Sequence, residues 1–239
     1  MREKAFLNWS GGKDAMMAYF TLQASQHVHI AFFLTTCNEA YRRISMHGVR
    51  EALLDQQAQS LGVPLKKVWL PEQASMDIYN AAMQQALREL QQEGCTTAVF
   101  GDIFLEDLRR YREQQLQTIG MKASFPLWKK DTRDLLKRFV DSGFQAIVVC
   151  VNGHRLDRSF AGRIIDHRFI EDLPPDVDPC GENGEFHSFV FDGPLFRFPI
   201  AFRKEEIVER RFPAAAEGSP GWDTVFWYCD LIPENQNGA

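Results

Sequence analysis

The chain lacks the marks of secreted, membrane-spanning and broadly nucleic-acid-binding proteins. It has only five cysteines, Cys37, Cys95, Cys150, Cys180 and Cys229. Their number is odd and no two form a C-x-x-C pair, which excludes a disulfide framework or a zinc site of usual spacing and points to reduced thiols in a cytoplasm. Each reads as a small core residue rather than a nucleophile. No stretch approaches the roughly 18 apolar residues that a membrane span needs; the strongest apolar run is Ala146 to Val151. Only Ala5, Phe6 and Leu7 lie between the charged start and polar Asn8, so no signal-peptide core is expected. Basic residues are not in excess: 27 Lys and Arg face 32 Asp and Glu, a net charge of −5, which argues against a broad nucleic-acid surface. Neither a G-x-G-x-x-G fingerprint nor a Walker G-x-x-x-x-G-K-[ST] loop occurs, and no metal-ligand cluster, repeat or low-complexity tract stands out.

What is present describes an ordinary globular chain. Its 239 residues are 45% apolar and 25% charged, and its 19 Phe and 5 Trp require burial, a ligand or a partner. At about 150 residues per domain this is one large domain or two small ones. The first half alternates strands and helices. Strands are expected at 4–9, 29–36, 64–70 and 97–103, and helices at 14–24, 48–61, 75–93 and 106–118. Four βα units in series predict a parallel, doubly wound α/β sheet. The second half changes character: short strands at 123–128, 145–151, 186–192, 198–203 and 224–231, a helix capped by Asp131, and a Pro- and Gly-rich loop at 173–184 predict a smaller mixed sheet. The expected division is an α/β domain over 1–118 and a C-terminal α+β domain over 119–239.

The motif with the clearest chemistry is Ser10-Gly11-Gly12-Lys13-Asp14, directly after an apolar strand and before a helix. Glycines let backbone N–H groups turn toward an anion, the helix N-terminus adds partial positive charge, and Lys13 adds a full one. These residues resemble the S-G-G-x-D-[ST] loop of the PP-loop ATP pyrophosphatases, which split ATP between the α and β phosphates. Ala15 stands where that superfamily usually has a hydroxyl residue. Two further segments narrow the resemblance. Gly101-Asp102-Ile103 with Arg109 and Arg112 is similar to the G-D-I…R segment of the diphthine–ammonia ligase family. Residues 180–196, Cys-Gly-Glu-Asn-Gly-Glu-Phe-His-Ser-Phe-Val-Phe-Asp-Gly-Pro-Leu-Phe, resemble that family's C-G-E-G-G-E block. Within it, Phe186, His187 and Ser188 depart from the family's Tyr, acid and Thr, which bears on the acceptor more than on ATP.

The resemblance implies roles. Ser10, Gly11, Gly12, Lys13 and Asp14 would bind pyrophosphate. Thr35 and Thr36, at the end of the second strand, would lie beside adenine, and Ser45, Met46, His47 and Gly48 would close over the nucleotide. Gly101 and Asp102 sit at the carboxyl end of the fourth strand, on the rim where open α/β sheets bind ligands. Asp102 would hold Mg²⁺ or position the acceptor. Arg109, three residues from Arg112 and so on the same helix face, would grip phosphate or a carboxylate. Glu182 and Glu185 flank Asn183-Gly184 and suit Mg²⁺, an ammonium ion or proton removal from it.

The expected activity is an ATP-dependent amide ligase: a carboxylate attacks the α-phosphorus, pyrophosphate leaves, and ammonia displaces AMP. The expected partners are ATP with Mg²⁺, ammonia and a carboxylate acceptor, with a homodimer among the expected assemblies. In an archaeon or eukaryote the resemblance implies diphthine on elongation factor 2 as acceptor; in a bacterium it would be another small or protein-bound acid. The competing readings are a tRNA-thiolating enzyme, against which the acidic charge and unpaired cysteines count, and an ATP-binding sensor without catalysis.

Overall fold

The computed structural model describes residues 2–24, 27–44, 48–212 and 224–234. Its elements in chain order are β1 (Glu3–Asn8), α1 (Lys13–Gln23), β2 (Val28–Asn38), β3 (Arg43–Ile44), α2 (Glu51–Leu61), β4 (Leu65–Leu70), α3 (Met76–Gln92), β5 (Thr97–Val99), α4 (Glu106–Gln117), β6 (Lys122–Ser124), α5 (Thr132–Asp141), β7 (Gln145–Asn152), α6 (His167–Asp172), β8 (Phe186–Asp192), β9 (Phe202–Phe212) and β10 (Thr224–Pro233). Local chemistry explains the helix ends. Ser75 and Asp131 cap α3 and α5 by accepting the N–H of Ile78 and Asp134. Gly62 ends α2 in the left-handed conformation that glycine adopts without strain.

Five strands of the first sheet run parallel in the order β4-β2-β1-β5-β6. The short β3 pairs antiparallel with Cys37 and Asn38, where β2 runs past the end of β1. This is the α/β architecture expected from the alternation of elements. Ala5, Phe6 and Leu7 of central β1 are all fully buried, as a strand covered on both faces requires. The chain order reverses between β1 and β5, so the ligand crevice of such a sheet lies at the carboxyl ends of those two strands.

The second sheet, β8-β7-β10-β9, is antiparallel at every pairing, not mixed. Its long edge strand β9 begins at Phe202, where the sequence led us to expect a strand over 198–203 instead. The segment from Arg203 to Arg211 is dominated by charge, which hides a strand from an apolar-pattern reading. Charged side chains are also what keep an edge strand from pairing with another chain. Strand β6, at Lys122–Ser124, completes the first sheet on β5. All five cysteines are buried and unbridged, and no helix of the described residues is long and apolar enough to cross a membrane.

Two cores result. Phe6, Leu34, Val68, Leu87, Leu90, Ala98 and Leu116 fill the space between the first sheet and α3 and α4. The larger core holds Ala5, Leu7 and Met16 of the first half together with Ile147, Val149, Phe186 and Phe189 of the second sheet. Within it Trp9 stacks on Phe33 at 4.0 Å, and Tyr19 meets Phe33 edge-on at 5.3 Å. A core shared by the two sheets should make them unfold together. In urea, far-UV circular dichroism and tryptophan emission should trace one coincident transition, and Phe189→Ala should lower its free energy by about 3–5 kcal/mol without splitting it. Two separated transitions would show sheets that are stable independently.

Candidate active site

The loop after β1 is built jointly by both halves of the chain. Gly11 adopts φ +75°, a conformation in which only glycine is unstrained. Its carbonyl accepts the Val190 N–H of β8 at 2.9 Å and Gln57 Nε2 of α2 at 3.1 Å. Gly12 is the N-cap residue of α1. Its N–H donates to Ser10 Oγ at 3.3 Å, and the Lys13 N–H donates to Ser188 Oγ of β8 at 3.2 Å. Two hydroxyls thus hold the N–H groups that begin the helix, and hydroxyls rotate to suit a competing partner.

Lys13 points inward. Its ammonium donates to Asp14 Oδ2 at 2.9 Å and to the Cys180 carbonyl, and it lies 4.9 Å from the ring centre of Phe186. Burial works against its charge, but the Asp14 carboxylate outweighs that and holds its pKa above the ordinary lysine value. Lys13 therefore ties the start of α1 to the loop at 173–184.

The turn after β5 closes against the same helix end. A Cβ on Gly101 would stand 2.9 Å from the Asp14 carbonyl carbon and 3.0 Å from the Ala15 nitrogen, so only glycine permits this approach. Asp102 accepts Arg112 NH2 on Oδ1 at 3.1 Å, and its pKa is raised by burial against the opposing pull of Arg112. Asp102 Oδ2 and Arg112 Nε are buried with no hydrogen-bond partner among the described residues. Arg112 stacks on Phe100 at 4.3 Å. Arg109 instead rests on Phe125 and Trp128 at 4.9 and 4.6 Å and pairs with Glu113 at 2.7 Å. Of the two arginines, it is Arg112 that reaches the rim carboxylate.

The two glutamates part company. Glu182 crosses to the first domain and accepts the Ile103 N–H at 2.7 Å. Burial, with Asp14 and Asp102 nearby, pushes its pKa up to about 7. Glu185 is fully buried and turned into its own loop. It accepts from the Asp178 N–H at 3.1 Å, the Asn183 N–H at 2.9 Å and Asn183 Nδ2 at 3.1 Å. His187, on β8, is pushed down to about 4 by burial, with Lys13 adding to the effect, and is neutral at pH 7.

Two further groups of expected residues have other neighbours. Thr35 and Thr36 follow Leu34, the last β2 residue paired with β1, and face β4 at Lys67 and Val68. Gly48 packs on the Tyr228 ring at a cavity of about 860 Å³ whose lining includes Arg43, Arg50 and Asp230. Asp230 accepts from both arginines at 2.7 Å, and together they hold its pKa down to about 2 against the effect of burial. Ser45, Met46 and His47 fall outside the described residues.

Sequence reasoning passed over Gln57 and the Ser188 hydroxyl. Gln57 had a readable signal: it lies four residues after Leu53 and four before Leu61, on the buried face of α2, where a polar side chain needs a reason.

Among the described residues no three acids, histidines or cysteines stand close enough to hold a metal unaided. Mg²⁺ carried by a nucleotide needs only one or two carboxylates besides the phosphates, and the unpartnered Oδ2 of Asp102 fits that requirement.

Comparison with known proteins identifies the family. A family model described as the diphthamide synthase N-terminal domain matches residues 3–123, and one described as the diphthamide synthase C-terminal domain matches residues 131–230. Proteins named diphthine–ammonia ligase are similar to it. The one from Schizosaccharomyces pombe is 29% identical over 152 residues, 58% of this chain and 25% of that protein. The Bos taurus protein is 30% identical over 118 residues, 47% of this chain and 44% of its own. The Danio rerio protein is 26% identical over 222 residues, 83% of this chain and 86% of its own. The matches thus span a quarter of the yeast relative and under half of the bovine one, but most of the fish protein. The chain belongs to the diphthamide synthase family.

The Glu182 and His187 shifts give opposite pH dependences. The folded chain keeps the Glu182 proton between its ordinary 4.5 and about 7, so this group lowers stability as pH rises through that window. His187, shifted from 6.5 to about 4, raises stability as pH rises from about 4 to 6.5. Only a difference measurement separates them. The stability of Glu182→Gln minus that of the unaltered chain should climb from pH 5 to 7 and then level off in urea titrations. A difference independent of pH would mean that Glu182 titrates normally.

Proposed function

We propose that this member of the diphthamide synthase family is an ATP-dependent amide ligase that forms AMP. The observation that carries the reading is the meeting of three segments from two domains. The glycine loop opens α1, the Gly101–Ile103 turn packs on that helix end, and the loop carrying Glu182 bonds to the turn. Ligand sites commonly lie at such domain interfaces.

In this reading the N–H groups of Gly11, Gly12 and Lys13, with the Ser10 hydroxyl, receive the pyrophosphate end of ATP. They stabilise the charge that builds on the leaving group when an acceptor carboxylate attacks the α-phosphorus. The Lys13 ammonium and Asp14 fix the start of the helix, and Thr35, Thr36 and Gly48 are the described residues proposed for the nucleoside side. Asp102, through its unpartnered Oδ2, would hold the nucleotide's Mg²⁺, which would supply charge to offset that of the phosphates. Ammonia then attacks the acyl carbon, the bond to AMP breaks, and one proton must leave the nitrogen. Glu182, with a pKa near 7, takes it. Glu185 shapes the loop that carries Glu182, and Arg112, backed by Arg109 on the same helix, holds Asp102. The relatives' name suggests diphthine as the acceptor, and the family resemblance adds elongation factor 2 as its carrier. Neutral His187 in β8 is the residue to examine if another carboxylic acid proves to be the substrate. The compartment that fits free thiols and this acceptor is the cytoplasm.

The test is product analysis. With α-labelled ATP, Mg²⁺, ammonium chloride and diphthine-bearing elongation factor 2, AMP and pyrophosphate should appear in step with amide. Sustained ADP formation would reject the loop assignment, and AMP formation driven only by a different acid would move the acceptor. Lys13→Ala removes the ammonium that ties the start of α1 to Asp14 and the Cys180 carbonyl; by loosening the loop rather than by losing a phosphate contact, it should weaken ATP binding about tenfold in calorimetry. Glu182→Gln should bind ATP within a few-fold of the unaltered chain yet lose amide formation. A failure of Glu182→Gln to bind Mg·ATP while still folded would make that acid a nucleotide or metal ligand.

A further inference from the structure

The carboxamide of Gln57 is fully buried and joins α2 to two other segments, the loop after β1 and strand β8. Its Oε1 accepts the Trp9 indole N–H at 2.7 Å, and its Nε2 donates to the carbonyls of Gly11 and Val190 at 3.1 and 2.6 Å. An amide side chain offers two donors and one carbonyl, and here both kinds of group are in use. The Gly11 carbonyl is thus held from two sides, by α2 and by the Val190 N–H of β8. A peptide unit is planar and trans, so the N–H of Gly12 points opposite to the carbonyl of Gly11. Anchoring that carbonyl sets the direction of the Gly12 N–H, the start of the row of donors that opens α1. The fit is close: a Cβ on Gly11 would lie 3.0 Å from Gln57 Oε1.

We infer that Gln57 is a positioning residue for phosphate recognition: it fixes the orientation of the glycine loop and locks it to β8 of the second domain without touching the nucleotide. The inference rests on the proposed role of the loop as the pyrophosphate site. No apolar or charged residue of the same shape does this. Leucine leaves the indole N–H without its acceptor and removes the donor to both carbonyls, so that the Gly11 carbonyl is held by the Val190 N–H alone. An ionised glutamate turns oxygen toward two carbonyl oxygens, whereas a protonated glutamate restores one donor.

That difference makes the inference testable by pH. Mg·ATP affinity is measured by calorimetry between pH 6 and 9 for the unaltered chain, Gln57→Glu and Gln57→Leu, with folding checked by circular dichroism. Gln57→Glu should bind close to normally at pH 6 and lose at least tenfold by pH 9, relative to the unaltered chain at the same pH. Gln57→Leu should be weakened at least tenfold throughout. A second reading needs no nucleotide: amide hydrogen exchange in the peptide spanning residues 9–16 should speed up in Gln57→Glu as pH rises, beyond the intrinsic increase seen in the unaltered chain. If the unaltered chain does not bind Mg·ATP, the loop assignment fails, while the exchange data still judge the orienting role of Gln57. Normal exchange in that peptide in Gln57→Glu at pH 9, or unchanged ATP affinity in both variants, overturns the inference.

Discussion

The fold turns on one hydrogen-bonded seam, where the loop after β1 meets β8. Val190 donates to Gly11, Gln57 bridges both, and Ser188 accepts from Lys13. A glycine loop on its own is free to take many shapes, because glycine has the largest conformational entropy to lose on folding. Here its shape is imposed from outside by a strand nearly 180 residues further along the chain, as the Lys13–Ser188 separation of 175 shows. The cost of ordering the loop is met when the two sheets form their common core, so the site is preorganised.

Electrostatics around the seam follow from the same packing. Asp14, Asp102 and Glu182 crowd the start of α1, with Lys13 beside Asp14 and Arg112 beside Asp102. Burial raises the pKa of all three carboxyls; Asp14 and Asp102 each have a cation as direct partner, whereas Glu182, which accepts the Ile103 N–H, is pushed up to about 7. One environment thus sets two cation-paired carboxyls beside one able to exchange a proton near pH 7, an arrangement suited to acid–base chemistry.

Much of the fold was legible because its signals are local. The βα alternation, the caps at Ser75 and Asp131 and the left-handed Gly62 all follow from short stretches of sequence. Strand β9 was not legible, because its register comes from pairing with β10 while its own residues are mostly charged. The same split runs through the site. Ser10 to Asp14 stood out as a motif, as did Gly101 and Glu182. The inward direction of Lys13, the loop-shaping bonds of Glu185 and the choice of Arg112 over Arg109 depend on contacts between distant segments. Gln57 announced itself only as a polar residue on an apolar helix face, a clue that becomes specific once Trp9, Gly11 and Val190 are seen around it.

The central claim is that this jointly built loop receives the phosphates of ATP. The most direct measurement is a crystal structure of the chain with Mg²⁺ and an ATP analogue carrying a methylene bridge between the α and β phosphorus atoms. The account predicts the β and γ phosphates on the N–H groups of Gly11, Gly12 and Lys13, with the metal facing Asp102 Oδ2. Phosphates seated instead on Arg43 and Arg50, in the cavity beside Tyr228, would contradict it.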